Sequence, residues 1–191
     1  MFKNFIFIGI FILTTGLLGC QKSPEEMTLD PNQSVISFTS IKKGNIAETH
    51  TFKTISGTFA SDGLLKVDIQ LASVETHIPV RNERMKTLLF EVSKFSTAEL
   101  TASVNNDFPE GKIRQVSVKA HLNLHGKTVP LTIDAQVARV GGELIVGSLK
   151  PVILQVADFG LSEGVDRLMQ AAKLPSIART VPVTFNLVFK P

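Results

Sequence analysis

The chain has 191 residues, 20 basic against 17 acidic, with a formal net charge of +3; it holds 13 Phe and a single Cys, and neither Trp nor Tyr. One cysteine excludes an intrachain disulfide, and without a basic stripe or arginine cluster to neutralise phosphates no nucleic-acid partner is implied. The length, with no internal break, points to one domain with a substantial core.

At the N-terminus Lys3 is followed by an apolar run from Phe5 to Thr14 that is too short to span a bilayer. Residues 1–19 therefore read as a secretory signal, not a transmembrane helix. The signal ends in Leu17-Leu18-Gly19-Cys20, which resembles the bacterial lipobox. That resemblance implies that Cys20 is acylated, becomes the new N-terminus and holds the protein on a membrane. The alternative is ordinary signal cleavage that leaves a free thiol. Two or three acyl chains at ~0.8 kcal/mol per buried methylene anchor stably, where one chain is marginal. Gln21 stands where the usual inner-membrane retention signal has aspartate, so the expected location is the outer membrane of a bacterial cell envelope, facing the periplasm. Residues 20–28, with Lys22, Pro24, Glu25 and Glu26, show no periodicity and read as a tether; the domain is placed at 29–191.

Within the domain the dominant signal is alternation with period two, the mark of half-buried strands. Leu65, Val67, Ile69 and Leu71 alternate with Lys66, Asp68 and Gln70. Val116 to Leu124 alternate with Ser117, Lys119, His121, Asn123 and His125, and Val129 to Val137 with Thr132, Asp134 and Gln136. Val181, Val183, Phe185, Leu187 and Phe189 form the last clear run. Weaker runs lie at about 34–41, 50–59, 96–104 and 143–156, which brings the strands to eight. Asp62-Gly63, Asn105 to Asp107, His125-Gly126 and Gly141-Gly142 supply turn residues between them, so hairpins join the strands antiparallel. The fold class is all-β, an eight-stranded antiparallel barrel, since closure removes exposed edges. A β-sandwich is the rival that alternation alone leaves open.

Two segments have helical spacing instead: Met85, Leu88, Leu89 and Val92, and Val165, Leu168, Met169 and Ala172, the second with Ser162 as N-cap candidate and Pro175 as its stop. They are expected to cap the barrel ends, with a mobile lid as the alternative.

Ser34-Val35-Ile36-Ser37-Phe38, Ile55-Ser56-Gly57-Thr58-Phe59, Val74-Glu75-Thr76, Arg81-Asn82 with Leu89-Phe90-Glu91-Val92, Leu122 to Leu131 around His125-Gly126-Lys127-Thr128, and Asp158-Phe159-Gly160-Leu161 occur in an order that resembles the YceI-like family. The match spans almost the whole domain. The sequence departs from the family at Met27 and Gln33, where an aromatic and a histidine are usual, at Leu89 in the usual Phe-Phe pair, and at Ser96, the usual proline. The resemblance implies a lipocalin-like barrel that encloses a long isoprenoid or similar amphiphile, often quinone-type, with no cofactor beyond that lipid. The expected lining is Phe38, Phe52, Phe59, Leu89, Phe90, Phe159 and Phe185. Arg81 either reaches a polar head group or forms a structural ion pair with Glu83 or Asp158.

A catalytic role is not expected. His121 and His125 have the spacing of a helical zinc pair, but in a strand they stand ~13 Å apart, too far to share a metal, and read as solvent-facing. No Gly-x-Ser-x-Gly elbow or Gly-rich phosphate loop occurs. The competing non-catalytic reading is an envelope lipoprotein whose packed barrel binds another protein on its outer face, with a homodimer left open.

Overall fold

A computed structural model describes residues 26–191. The leader 1–19, Cys20 and most of the segment read as a tether lie outside the described residues. The period-two runs form eight antiparallel strands, several interrupted once: β1 (Met27–Leu29 and Val35–Lys42), β2 (Ile46–Phe52 and Ile55–Phe59), β3 (Leu64–Gln70 and Val74–Glu75), β4 (Thr97–Ser103), β5 (Ile113–Leu124), β6 (Lys127–Val140), β7 (Glu143–Ser148 and Val152–Gln155) and β8 (Thr180–Lys190). Each strand pairs with its neighbour in the chain, and β8 returns to both halves of β1, through Thr28↔Lys190 and Phe38↔Val183. The sheet is therefore a closed eight-stranded barrel and the sandwich alternative falls. β1 begins at Met27, inside the segment read as tether.

The breaks have local causes. In β1 the Asp30 carboxylate accepts the Asn32 N–H at 2.9 Å, and Pro31 has no N–H to give to a ladder. In β2 the Thr54 N–H turns aside to the Ser73 hydroxyl at 3.0 Å, bending the strand at a barrel corner. At the β5–β6 hairpin His125 and Gly126 both have positive φ, 54° and 73°, as a two-residue type I′ turn requires. His125 is therefore a turn residue, not a solvent-facing strand position, and its ring packs on Phe95 with centroids 4.2 Å apart. Asn105 to Asp107 do not make a tight hairpin either: they belong to the longer connection between β4 and β5, which buries Phe108 under the barrel.

Strand directions place both helices at one end, and the loop after β4 with both chain termini of the barrel at the other. Both helices cap the same end of the barrel. α1 (Pro79–Arg84) starts before its apolar stripe, with Pro79 in the first turn, and continues as a wider π-type turn over Met85–Leu89. Arg81 is inside this helix, and Val92 falls beyond it. α2 (Ser162–Ala172) has Leu161 at its N-cap and no side-chain cap, so Ser162 does not play that part. The helix seats directly on Met85–Leu89 because Gly164 has no side chain: a Cβ there would meet Leu88 O and Leu89 Cα at 3.0 Å. Arg167 locks the contact by donating to Leu88 O at 2.7 Å. Under the helices lies one apolar cluster, around Leu71, Met85, Leu89, Phe159 and Val165. The far end has an aromatic floor, where Phe59 packs against Phe108 and Phe189 with centroids 6.5 Å away in each case.

Candidate functional site

Between the helices and the aromatic floor the barrel is hollow. A cavity of about 510 Å³ runs through it, more than three times the ~150 Å³ apolar cavity that suffices to take up a benzene. Eight strands make a barrel just wide enough for side chains to fill. Here four inward positions hold only alanine, Ala98, Ala102, Ala120 and Ala135, and the volume their neighbours would need is left open. Inward residues beside that space, such as Phe38, Phe52, Leu100 and Phe185, keep part of their surface free although they point into the barrel.

All eight residues singled out from the sequence stand around this cavity: Phe38, Phe52, Phe59, Arg81, Leu89, Phe90, Phe159 and Phe185. Phe38, Phe52 and Phe90 form a run of tilted rings along one wall, with centroids 5.4 and 6.0 Å apart. Phe59 belongs to the floor and Phe159 to the packing under the helices, each with little surface left for a ligand. Apolar walls of this kind hold chains without directional bonds and set no head-group preference.

The polar lining is gathered at one end. There the cavity is bounded by Ser40 and Lys42 of β1, Glu48 and His50 of β2, and Arg81 and Arg84 of α1. Ile78 and Val80 also line it and are 42% and 56% exposed, which marks the mouth. Arg81 pairs with neither Glu83 nor Asp158. Its Nη1 donates to Glu48 Oε2 at 2.7 Å and its Nη2 to the Thr76 carbonyl at 2.7 Å, while Glu83 takes Lys86. Lys42 binds the same Glu48 oxygen at 2.6 Å, and the Lys42 and Arg81 contacts together hold the Glu48 carboxyl below the usual carboxylate range. The turn behind Arg81 is itself braced: Asn82 accepts the Thr76 N–H and hydroxyl at 2.9 and 2.6 Å and donates to Glu75 at 3.0 Å.

His50 is 2% exposed, with Nε2 2.9 Å from the Ser40 hydroxyl and its ring edge-on to Phe38. Burial, reinforced by the Arg81 charge, pushes its imidazole down to about 4, so the ring is neutral at pH 7. Among the described residues its Nδ1 has no hydrogen-bond partner, nor has Arg81 Nε. Ser40, Lys42, Glu48 and His50 were not singled out as lining, yet a signal for them existed. Phe38 pairs with His50 and Ser40 with Glu48 across the β1–β2 ladder, so once Phe38 and Phe52 point inward, period two puts these polar residues inward as well. Among the described residues no group of three His, Cys, Asp or Glu side chains converges to hold a metal.

The architecture is that of a hollow binding barrel, and relatives of known structure share it. The sequence matches the YceI-like domain over residues 27–189, and the chain belongs to that family. A polyisoprenoid binding domain from Saccharophagus degradans, implicated in plant cell wall breakdown, superposes with a TM-score of 0.83 at 34% identity, over 86% of this chain and 97% of that one. BcnA of Burkholderia cenocepacia shares the fold, with a TM-score of 0.67 at 21% identity over 84% of this chain and 98% of that one. A UPF0312 protein of Vibrio vulnificus is 29% identical over 121 residues, 58% of this chain; the match spans 62% of that relative's length.

Proposed function

We propose that the protein is a non-catalytic carrier that takes one long apolar-chain lipid of polyisoprenoid or isoprenoid-quinone type into the barrel. It stores or shuttles that lipid in the bacterial envelope, held on the outer membrane through acylated Cys20. The observation that carries this reading is the apolar cavity of about 510 Å³ inside the barrel, which a packed interaction module would not retain. The Saccharophagus degradans neighbour, described as polyisoprenoid-binding, supports the same ligand class. The lipobox-like Leu17-Leu18-Gly19-Cys20 supports the anchor.

The test is native mass spectrometry of residues 21–191 secreted to a bacterial periplasm, followed by organic extraction. The expected result is a stoichiometric prenyl or quinone mass that is absent from Phe185→Trp, in which a bulkier ring fills the cavity. A ligand-free protein that also takes up no offered prenyl lipid would overturn the carrier reading. Labelling with radioactive palmitate, abolished in Cys20→Ala, tests the anchor separately.

A further inference from the structure

The mouth of the cavity holds two buried polar atoms with nothing to bind. His50 Nδ1 and Arg81 Nε both belong to residues that line the cavity, and neither has a partner among the described residues. Leaving such a group unpaired costs roughly 1–3 kcal/mol, so two orphan atoms on residues that line the same cavity mouth point to a ligand atom that reaches in to complete them. Arg81 cannot turn away to find another partner, because Glu48 and the Thr76 carbonyl hold both of its terminal nitrogens and the Thr76–Asn82–Glu75 network fixes the turn behind it. The remaining Nε–H is a donor. His50 becomes a second donor when the Ser40 hydroxyl gives its proton to Nε2 and the ring hydrogen sits on Nδ1.

Charge narrows the choice further. Three cations, Lys42, Arg81 and Arg84, meet a single acid, Glu48, on the cavity lining, and Arg84 has no acidic partner among the described residues. The mouth therefore carries a two-charge positive excess over an otherwise apolar tunnel. An alcohol meets the two donors with one weak acceptor and leaves that excess uncompensated. An anionic oxygen group accepts from both donors and offsets the charge.

We propose that Arg81 and His50 form the seat of the ligand's polar head, and that this head is an anionic oxygen group, a carboxylate or a phosphate monoester, at the end of the apolar chain. The assignment rests on the carrier reading above. It makes the β1–β2 polar pairs and α1 the specificity-determining part of the site, and leaves the phenylalanine walls to hold the chain.

The experiment compares three probes with the same twenty-carbon prenyl chain on the purified protein by isothermal titration calorimetry: geranylgeraniol, geranylgeranoic acid and geranylgeranyl phosphate. At least one acid is expected to bind tenfold or more tighter than the alcohol, and the two acids against each other separate carboxylate from phosphate. Arg81→Met and His50→Phe are each expected to reduce that advantage severalfold. Equal binding of acids and alcohol by the unmodified protein, or an acid preference untouched by both substitutions, overturns the head-group assignment and leaves the carrier standing. Failure of all three probes to bind overturns both. The wild-type comparison decides the matter even where a substituted chain fails to fold.

Discussion

His50 makes the stability of the barrel depend on pH in a range where the carboxylates do not titrate. In an unfolded chain the imidazole protonates near 6.5, whereas in the barrel burial holds it down to about 4. A base whose folded value is depressed binds more protons unfolded than folded between those two values, so the folded state loses stability as pH falls through that window. By linkage the loss between pH 7 and pH 5 is about 2 kcal/mol, and the full shift, complete below pH 4, is worth about 3 kcal/mol. The lowered carboxylates work at more acid pH: Glu75, pulled to about 2 by Lys53, Asn82 and the His77 N–H, and Glu48 remain ionised above pH 5. Urea unfolding followed by circular dichroism at pH 5, 6 and 7 reads the effect, since a chain without Trp offers no indole fluorescence. The difference in slope between the wild type and His50→Phe isolates this residue from every other titrating group. The expected wild-type excess loss of about 2 kcal/mol corresponds to roughly 4–8 °C in Tm for a domain of this size. A wild-type slope equal to that of His50→Phe would refute the claim that the ring is held neutral.

Three further substitutions test packing against hollowness. Phe189 is 0% exposed in the aromatic floor, so Phe189→Ala should cost the ~3–5 kcal/mol typical of a fully packed phenylalanine, while Phe185→Ala beside the cavity should cost no more than about half of that; equal costs in urea unfolding would mean the cavity wall is packed in solution. Gly164→Val should destabilise by ~1–3 kcal/mol, because its side chain must push α2 off Leu88 and Leu89, and an unchanged unfolding midpoint would show that the helix contact is not tight.

The strands were legible because each has one buried face, and period two records that face residue by residue. All eight runs named from the sequence became strands of the barrel, and the His125-Gly126 and Gly141-Gly142 turns followed from the positive φ such hairpins require. The helices were harder. The apolar stripe of Met85 and Leu89 shows which face is buried but not where the helix starts; that signal is Pro79, whose missing N–H and fixed φ suit the first turn. Arg81 was recognised as a lining residue, but its partner was sought among the nearby acids Glu83 and Asp158. Glu48, on strand β2 and 33 residues away, meets it only when the barrel closes. Hollowness itself leaves a fainter trace. Alternation says that Ala98, Ala102, Ala120 and Ala135 point inward, and only the assembled ring shows that nothing larger reaches across to fill the space they leave.

The balance between barrel and bilayer assigns the polar end its importance. A prenyl chain of ~20 carbons moved from water into an apolar tunnel gains on the order of 16 kcal/mol gross, at ~0.8 kcal/mol per carbon, before the cost of ordering it is subtracted. The same chain in a membrane is already out of water, so almost none of that gain distinguishes carrier from membrane. What remains is the ordering cost, which disfavours the barrel, and the head group, whose charge-assisted hydrogen bonds are worth ~1.5–3 kcal/mol each. The two bonds proposed, to Arg81 and His50, sum to ~3–6 kcal/mol, which tips an otherwise nearly even partition by roughly a hundred- to ten-thousandfold. Losing one of them brings it back toward even. In the proposed carrier the phenylalanine walls make uptake feasible, and the mouth decides which lipid is taken.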